Sequence, residues 1–182
     1  MLKSDLRKLY KQKRKELTVV EKTNFQESLY QQIFDLDFNG INNVHLFLSM
    51  QKFNEIDTQP IINFLRKKDK KIIVSRCNFK DDSLSHFYLK EDTEISLNKF
   101  GVPEPINAEE IAVTKIDLVF VPMLISDKKN YRVGYGKGFY DRFLAACRKD
   151  TKTIGLNFFP PIQTIEDTHK FDVPLHQIIV PK

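Results

Sequence analysis

The chain has 182 residues, of which 41% are hydrophobic and 29% charged, and its formal net charge is +5. This length and composition predict one globular domain spanning residues 1–182, with a core that needs neither disulfides nor a structural metal. No apolar run approaches the roughly 18 residues of a membrane span, and the charged N-terminus is unlike a secretory signal. These features indicate a cytosolic or nuclear protein, and a cytoplasmic location is the prediction.

Cys77 and Cys147 lie far apart and lack paired spacing, so they predict small core side chains rather than zinc ligands or a disulfide. The positive charge favours an anionic partner such as nucleic acid, a nucleotide or a polyanionic small molecule. A solvated cationic surface gives the same balance, so the charge alone decides nothing.

Two helices are predicted at the N-terminus. Apolar residues recur at helical spacing over residues 2–17. Thr18 and Glu21 have the spacing of a capping box that begins a second helix, which the Asn-Gly pair at 39–40 ends.

The rest of the chain alternates strands and helices. The run VHLFLSM at 44–50 predicts a strand buried on both faces, and with the helix at 60–68 and the strand at 71–75 it forms a βαβ unit. Further predictions are an exposed or antiparallel strand at 84–89, a proline-stiffened loop at 100–105, a buried strand at 117–121, a helix at 139–148 and final strands at 153–158 and 177–181. Together they predict a single-domain α/β protein, a three-layer α/β/α sandwich with a mostly parallel, Rossmann-like sheet.

Residues 132–142, RVGYGKGFYDR, contain three of the six glycines at alternate positions before the predicted helix at 139–148. Glycine permits positive φ and close backbone approach, so successive N–H groups can converge on a phosphate. The helix N-terminus and Lys137 add positive charge there. The segment matches neither the Walker pattern nor GxGxxG, and a tight turn with a solvated lysine fits the spacing equally well.

Asp141 follows Lys137 by four residues, so both side chains project from one face of the helix. Two roles stay open for this carboxylate. It can form an exposed ion pair with Lys137 or Arg142, the commoner arrangement, or it can hold Mg²⁺ beside a bound triphosphate.

The block RVGYGKGFYDR, preceded by DLVFVPML and Asp127, resembles the signature R-L-G-x-G-x-G-Y-Y-D of the 5-formyltetrahydrofolate cyclo-ligases, also called methenyltetrahydrofolate synthetases. KSDLR, LFLSM with EIDT, and VPEP match further parts of that family. The resemblance implies an enzyme that uses ATP to close 5-formyltetrahydrofolate to 5,10-methenyltetrahydrofolate, releasing ADP and phosphate. In that reaction the formyl oxygen is phosphorylated first, and N10 then attacks the activated carbon.

The resemblance implies an ATP site formed by Lys3, Arg7, Arg132, Val133, Gly134, Tyr135, Gly136, Lys137, Gly138, Phe139 and Tyr140. It implies Lys137 and Arg132 as catalytic residues, with Lys137 neutralising charge between the γ-phosphate and the formyl oxygen. Judged by spacing alone, Lys3 and Arg7 lie one helical turn apart in a basic helix that is equally well explained as a solvated face.

The implied folate site consists of Leu48, Met50, Glu55 and Phe100, together with Tyr135, Gly136 and Lys137. Glu55 is expected to accept the paired N–H donors of the pterin ring. Met50 and Phe100 fit a pocket wall or the core equally well, and the aromatics of the glycine segment can cover a ligand or only pack the loop. The implied Mg²⁺ ligands are Asp141 and Asp172, whereas the histidines at 45, 86, 169 and 176 lack ligand spacing and receive no role.

Several positions depart from the family pattern. Met123, Ile125 and Ser126 stand where glycine, a small residue and phenylalanine are usual, Ser75 replaces a common proline, and Phe171 a frequent histidine. Asn130 occupies a glycine position, where asparagine tolerates the left-handed conformation. These departures affect the expected folate pocket more than the phosphate site.

Two other functions stay open on the sequence. One is an ATP-using enzyme of the same scaffold that acts on a different formyl or acyl substrate. The other is a nucleic-acid-binding module in which the basic N-terminal helix contacts phosphates and the aromatics of the glycine segment stack on bases. Acidic residues dispersed through the chain, including Asp127 and Asp141, count against the second function. The expected partners are therefore small molecules rather than nucleic acid or membrane, and a monomer is expected.

Overall fold

The computed structural model describes all residues from Met1 to Lys182. Its helices are α1 (Lys3–Glu16), α2 (Val19–Phe34), α3 (Gln59–Lys67) and α4 (Phe139–Ala146). Its strands are β1 (Asn43–His45), β2 (Lys71–Asn78), β3 (Ser83–Tyr88), β4 (Glu94–Leu97), β5 (Pro103–Ile106), β6 (Leu118–Pro122), β7 (Ile125–Ser126), β8 (Arg132–Val133), β9 (Lys152–Leu156) and β10 (Gln177–Ile179).

Six strands form the central sheet in the order β10-β9-β6-β1-β2-β3. Strands β10, β9, β6, β1 and β2 are mutually parallel, and β3 pairs with β2 in the antiparallel direction at one edge. The predicted α/β fold with a mostly parallel sheet is confirmed, as is the antiparallel strand near residues 84–89.

Helices cover both faces of the sheet. Alternate residues of β6 point to opposite sides, so Leu118 and Phe120 pack into the core beneath α2 and α3, whereas Val119 and Val121 pack with Phe143 of α4. None of the helices is both long and apolar enough to cross a membrane.

Helix α1 lies away from the central sheet. Its Leu6 and Tyr10 pack on the small β7–β8 hairpin, in a third apolar cluster that includes Ile125 and Val133. This contact holds the basic N-terminal helix beside the glycine segment, which follows β8 directly.

The capping box at the start of α2 is confirmed, since Glu21 N–H donates to Thr18 Oγ1 and the Glu21 carboxylate accepts from Thr18 N–H. The helix ends at Phe34, several residues before the predicted stop. The predicted strand at 44–50 is wrong in its second half. After Leu46, whose N–H still donates to Ile73 O at 2.8 Å, the backbone leaves the sheet and bonds to side chains, such as Thr58 Oγ1 to Phe47 O at 2.9 Å.

The predicted loop at 100–105 is wrong in its second half, because the chain from Pro103 to Ile106 is β5, which pairs with β4 in an antiparallel hairpin. Pro103 and Pro105 have no backbone N–H to donate, so within β5 only Glu104 and Ile106 can donate backbone hydrogen bonds. These two residues pair with Ser96 and Glu94 of β4. The β7–β8 hairpin was also not predicted. Cys77 and Cys147 are half-buried free thiols at the edge of the core rather than inside it.

The strand order reverses at β1. In the sheet, β2 lies on one side of β1, and β6 and β9 lie on the other side. In open α/β sheets, the carboxyl ends of the strands at such a reversal border a crevice where ligands bind. Here β1 leads into the loop with Glu55, and β6 leads into the β7–β8 hairpin and the glycine segment.

Candidate active site

The glycine segment bends where its glycines require it. Gly136 has φ of +101° and Gly138, the N-cap of α4, has φ of +71°. Both values lie in the region that favours glycine. The bend turns the chain sharply out of β8 and into α4.

Arg7 of α1 lies against this bend. Its Nε donates to the carbonyl of Gly134 at 3.0 Å. A Cβ added at Gly136 would stand 3.1 Å from the same Nε and 3.2 Å from Cζ. The structure thus brings together Arg7 and the glycine segment, two parts of the predicted ATP site that are far apart in sequence.

Lys137 is exposed at the tip of the bend, and only its carbonyl is engaged, by Arg142 Nη2 at 2.6 Å. The aromatic side chains of the segment point in different directions. Phe139 meets the Phe79 ring edge-on at a centroid distance of 5.4 Å, and Tyr140 packs against the core beneath α4. The structure places Lys137 where an incoming anion can reach its ammonium.

Glu55 projects from the loop that follows β1 and is 4% exposed. Its Oε2 accepts the N–H of Met50 at 2.7 Å, and its Oε1 accepts the hydroxyl of Tyr135 at 2.6 Å. Burial raises the pKa of Glu55, and these two hydrogen bonds act against the rise. Each carboxylate oxygen keeps one lone pair for a further donor.

Tyr135 belongs to the glycine segment, so its bond to Glu55 joins the two predicted half-sites across 80 residues of sequence. The Phe53 ring packs against the Tyr135 ring at a centroid distance of 5.1 Å. Sequence reasoning placed Tyr135 in both sites but did not foresee this direct contact.

The other predicted folate residues border this loop. Leu48 packs against the large core cluster, and the half-buried Met50 supplies the N–H to Glu55. Phe100 is 48% exposed and packs against the Phe79 ring at a centroid distance of 4.3 Å with the rings tilted by 47°, so it lies on the rim and not in the core.

Arg132 is 8% exposed, and both terminal nitrogens of its guanidinium contact protein groups. Its Nη2 forms an ion pair with Asp141 Oδ1 at 2.8 Å, and its Nη1 donates to Val173 O at 2.7 Å. Val133, the other residue of β8, is buried against α1. The catalytic role expected for Arg132 stays a prediction, and Asp141 and Val173 are the partners of its guanidinium.

Lys3 forms an ion pair with Asp172, and both side chains are largely buried. Burial would raise the pKa of Asp172, but hydrogen bonds from Lys3 Nζ and His169 N–H outweigh it and lower the pKa. Lys3 therefore ties α1 to the C-terminal loop and does not contact the glycine segment as Arg7 does.

Asp141 and Asp172 lie close together, because the N–H of Val173 donates to Asp141 Oδ1 at 3.2 Å. All hydrogen bonds to Asp141 use Oδ1, and all those to Asp172 use Oδ2. One oxygen of each carboxylate thus remains available. No group of three or more histidine, cysteine, aspartate or glutamate side chains forms a metal cage in the protein. This donor set fits Mg²⁺ only when substrate phosphate oxygens complete its shell.

The family departures have visible consequences. Asn130 adopts φ of +63°, so the left-handed turn expected for a glycine survives. Met123 fills the space over Gly155, where a Cβ would stand 2.1 Å from Met123 Cε. Ser75 links two buried histidines, bonding His45 Nε2 at 2.7 Å and His86 Nδ1 at 3.1 Å. These positions shape the packing around the crevice without entering it.

Other departures, and Asp127, are structural. Ile125 and Ser126 are fully buried in β7, and Phe171 is exposed in the C-terminal loop. Asp127 is 1% exposed, and its carboxylate accepts backbone N–H groups from Lys129, Tyr131 and Ile165. The aspartate thus fixes the turn of the hairpin that precedes the glycine segment.

One residue of the site was missed entirely. Arg14 of α1 is 4% exposed, and its Nη1 lies 3.4 Å from the Tyr135 hydroxyl. The signal in the sequence is its position, since Leu6, Tyr10 and Arg14 recur every four residues and all three are buried. An arginine in the apolar stripe of an amphipathic helix indicates a partner inside the protein.

The fold and site define a class of protein. It is an α/β protein in which a cationic glycine bend and a buried carboxylate meet where the strand order of the sheet reverses. Comparison with known proteins narrows this class. Residues 1–181 match the sequence profile of the 5-formyltetrahydrofolate cyclo-ligase family, and the chain belongs to that family.

The similarity extends over whole chains. A 5-formyltetrahydrofolate cyclo-ligase of Haemophilus influenzae is 29% identical over 98% of this chain and 95% of its own length, and that of Mus musculus is 29% identical over 96% and 93%. The solved structure of Aquifex aeolicus 5,10-methenyltetrahydrofolate synthetase superposes with a TM-score of 0.83 at 25% identity, covering 99% of this chain and 90% of that one.

Proposed function

We propose that this protein catalyses the ATP-dependent cyclisation of 5-formyltetrahydrofolate to 5,10-methenyltetrahydrofolate, with release of ADP and phosphate. Membership of the family supports the reaction. The observation that carries it is the 2.6 Å hydrogen bond from Tyr135 to Glu55, because it brings the cationic glycine bend and the carboxylate suited to a pterin together in one crevice.

The chemistry requires that closeness. The formyl oxygen must reach the γ-phosphorus as the bond to ADP breaks. N10 must then attack the formyl carbon, whose oxygen now carries the phosphoryl group, and the C–O bond breaks to release phosphate as N10 loses its proton. A protein that holds ATP and the folate with their reacting atoms next to one another makes both steps effectively unimolecular. The protein's main tasks are alignment and neutralisation of charge on the moving phosphoryl group.

The residues divide between these tasks. Glu55, with one lone pair free on each oxygen, accepts two N–H donors of the pterin ring. Arg7 and the backbone of the glycine bend hold the phosphates, and the exposed Lys137 contacts the γ-phosphate and the formyl oxygen. Asp141 and Asp172 would hold Mg²⁺, which supplies charge neutralisation to the phosphates when bound.

The test is spectrophotometric detection of the methenyl product from 5-formyltetrahydrofolate, with and without ATP and Mg²⁺, combined with measurement of ADP. One ADP is expected for each product molecule formed. Absence of product, or product formed without ATP consumption, contradicts the proposal. ATP consumption stimulated by another formyl or acyl compound, but not by 5-formyltetrahydrofolate, favours the alternative enzyme of the same scaffold.

The proposal includes a monomeric cytoplasmic enzyme with small-molecule substrates and no nucleic-acid partner. A molar mass of one chain by light scattering is expected. Strongly salt-dependent RNA binding would contradict the last part.

A further inference from the structure

Arg14 is a buried cation without a carboxylate in direct contact. Its Nη2 donates to the carbonyl of Met123 at the end of β6, its Nη1 lies 3.4 Å from the Tyr135 hydroxyl, and its Nε has no hydrogen-bond partner. A buried guanidinium is costly unless an anion balances it. The anion on the other side of the Tyr135 hydroxyl is Glu55.

Arg14, Tyr135 and Glu55 are connected by two consecutive hydrogen bonds. Tyr135 accepts from Arg14 and donates to Glu55 Oε1 at 2.6 Å, so its one hydroxyl connects a buried cation with a buried anion. Such a hydroxyl is polarised in the direction that strengthens its donation to the carboxylate. The Phe53 ring, 5.1 Å from the Tyr135 ring, limits movement of the link.

The side chain of Asn54 also joins the Glu55 loop to α1 and α2. Asn54, next to Glu55, donates its Nδ2 to the carbonyl of Arg14 at 2.7 Å, and its Oδ1 accepts Lys22 Nζ of α2 at 2.7 Å. The end of α1 and the Glu55 loop therefore hold one another in place independently of the side-chain link.

We propose that Arg14 is a positioning residue for folate binding, which through the Tyr135 hydroxyl and its own charge keeps the Glu55 carboxylate ionised and oriented for the pterin ring. The inference rests on the proposed function and adds to it a residue of α1 outside the phosphate site. Arg14 itself does not need to touch either substrate.

The charge balance around Glu55 explains why such a residue is needed. A carboxyl group must be ionised to accept two N–H donors, and burial raises the pKa of Glu55. The positive charges of Arg14 and Lys22 act in the opposite direction. The titratable groups that face Glu55 are Arg14 on α1, Lys22 on α2, Tyr135 on the glycine segment and Tyr140 on α4.

The test measures the affinity of the full-length protein for 5-formyltetrahydrofolate by calorimetry, from mildly acidic to mildly alkaline pH. The variants are Arg14→Met, which keeps the length and loses the charge, Arg14→Lys, which keeps the charge, and Lys15→Met as the control. Lys15 is exposed on the same helix, so its substitution removes one positive charge without entering the site.

In the wild type, affinity should fall as pH decreases and Glu55 is protonated. Arg14→Met should raise Kd at neutral pH by about tenfold or more, the size expected for a lost hydrogen-bonded charge, and should move the midpoint of the pH profile upward. Arg14→Lys should keep the midpoint near that of the wild type, and Lys15→Met should match the wild type throughout. A purely structural role would lower thermal stability without moving the midpoint.

An Arg14→Met protein with wild-type Kd and midpoint overturns the inference, as does an equal shift in Lys15→Met. If Arg14→Met does not fold, Tyr135→Phe carries the test, because it removes only the linking hydroxyl. It should move the midpoint upward, and an unmoved midpoint overturns the inference. Failure of the wild type to bind 5-formyltetrahydrofolate would instead overturn the proposed function, and this inference with it.

Discussion

Gly136→Ala tests the contact between Arg7 and the glycine bend. Gly136 has φ of +101°, and a Cβ there would stand 3.1 Å from Arg7 Nε. The backbone strain costs about 1–3 kcal/mol. The guanidinium must also shift by a few tenths of an ångström, which strains its hydrogen bond to Gly134 O. A charged hydrogen bond is worth about 1.5–3 kcal/mol when lost outright, so displacement of Arg7 predicts a rise in the KM for ATP of up to about 100-fold.

Gly40→Ala is the matched control. Gly40 has φ of +73° with nothing within 4 Å of the added Cβ, so its substitution introduces comparable backbone strain far from the crevice. Steady-state KM for ATP at saturating 5-formyltetrahydrofolate and thermal unfolding are measured for both variants. Both should unfold at lower temperature, and only Gly136→Ala should lose ATP affinity. A folded Gly136→Ala protein with the wild-type KM for ATP would refute the role assigned to Arg7 and the bend.

Three further predictions concern Lys137, Gly155 and Asp117. Lys137→Ala should abolish turnover and leave the unfolding temperature unchanged, because the side chain is exposed; an active variant would remove Lys137 from the proposed chemistry. Gly155→Ala places a Cβ 2.1 Å from Met123 Cε, and overpacking of about 1–3 kcal/mol should lower Tm by roughly 3 to 10 °C. Ile178 Cδ1 and Leu175 Cδ1 would each lie 2.8 Å from the same Cβ, so the overpacking involves three side chains, and a Gly155→Ala protein with the wild-type Tm would contradict the clash. Asp117→Asn should lower the free energy of unfolding at neutral pH by about 1–2 kcal/mol. Burial opposes ionisation of Asp117, but backbone N–H donors and Arg148 outweigh it and hold its pKa below the usual 3.8. The difference in free energy of unfolding between the variant and the wild type should therefore shrink as acid protonates the wild-type carboxylate. A difference that does not change with pH would count against a stabilising role of the ionised Asp117.

The structure also shows which experiments on α1 are informative. Deleting residues 1–8 would remove Leu6, which is 1% exposed, together with the Lys3–Asp172 ion pair. Loss of ATP binding in such a truncated protein would not separate a binding role from unfolding. Arg7→Met is the cleaner variant, since Arg7 is only half-buried and its one hydrogen bond goes to the glycine segment.

Long elements with a strong local pattern were predicted from the sequence. The capping box of α2, the β1–α3–β2 unit and the buried strand β6 follow from hydrophobic periodicity and turn residues, which act over a few neighbours. The hairpins β4–β5 and β7–β8 were not predicted, because their strands have two to four residues and are defined by pairing with a partner elsewhere in the chain. The prolines at 103 and 105, which are more typical of loops than of strands, also led to the prediction of a loop in place of β5.

The sequence by itself determined the chemistry available to the site: the glycines that permit the bend at 134–138, the ammonium of Lys137 and the carboxylate of Glu55. Only the tertiary structure decided which of these groups meet. The bond between Tyr135 and Glu55 spans 80 residues, and Arg14, near the N-terminus, contacts the same Tyr135 hydroxyl. The physical reason is that side-chain types and backbone preferences are local properties, whereas burial and distance depend on the order of strands in the sheet and on the packing of α1 against the β7–β8 hairpin.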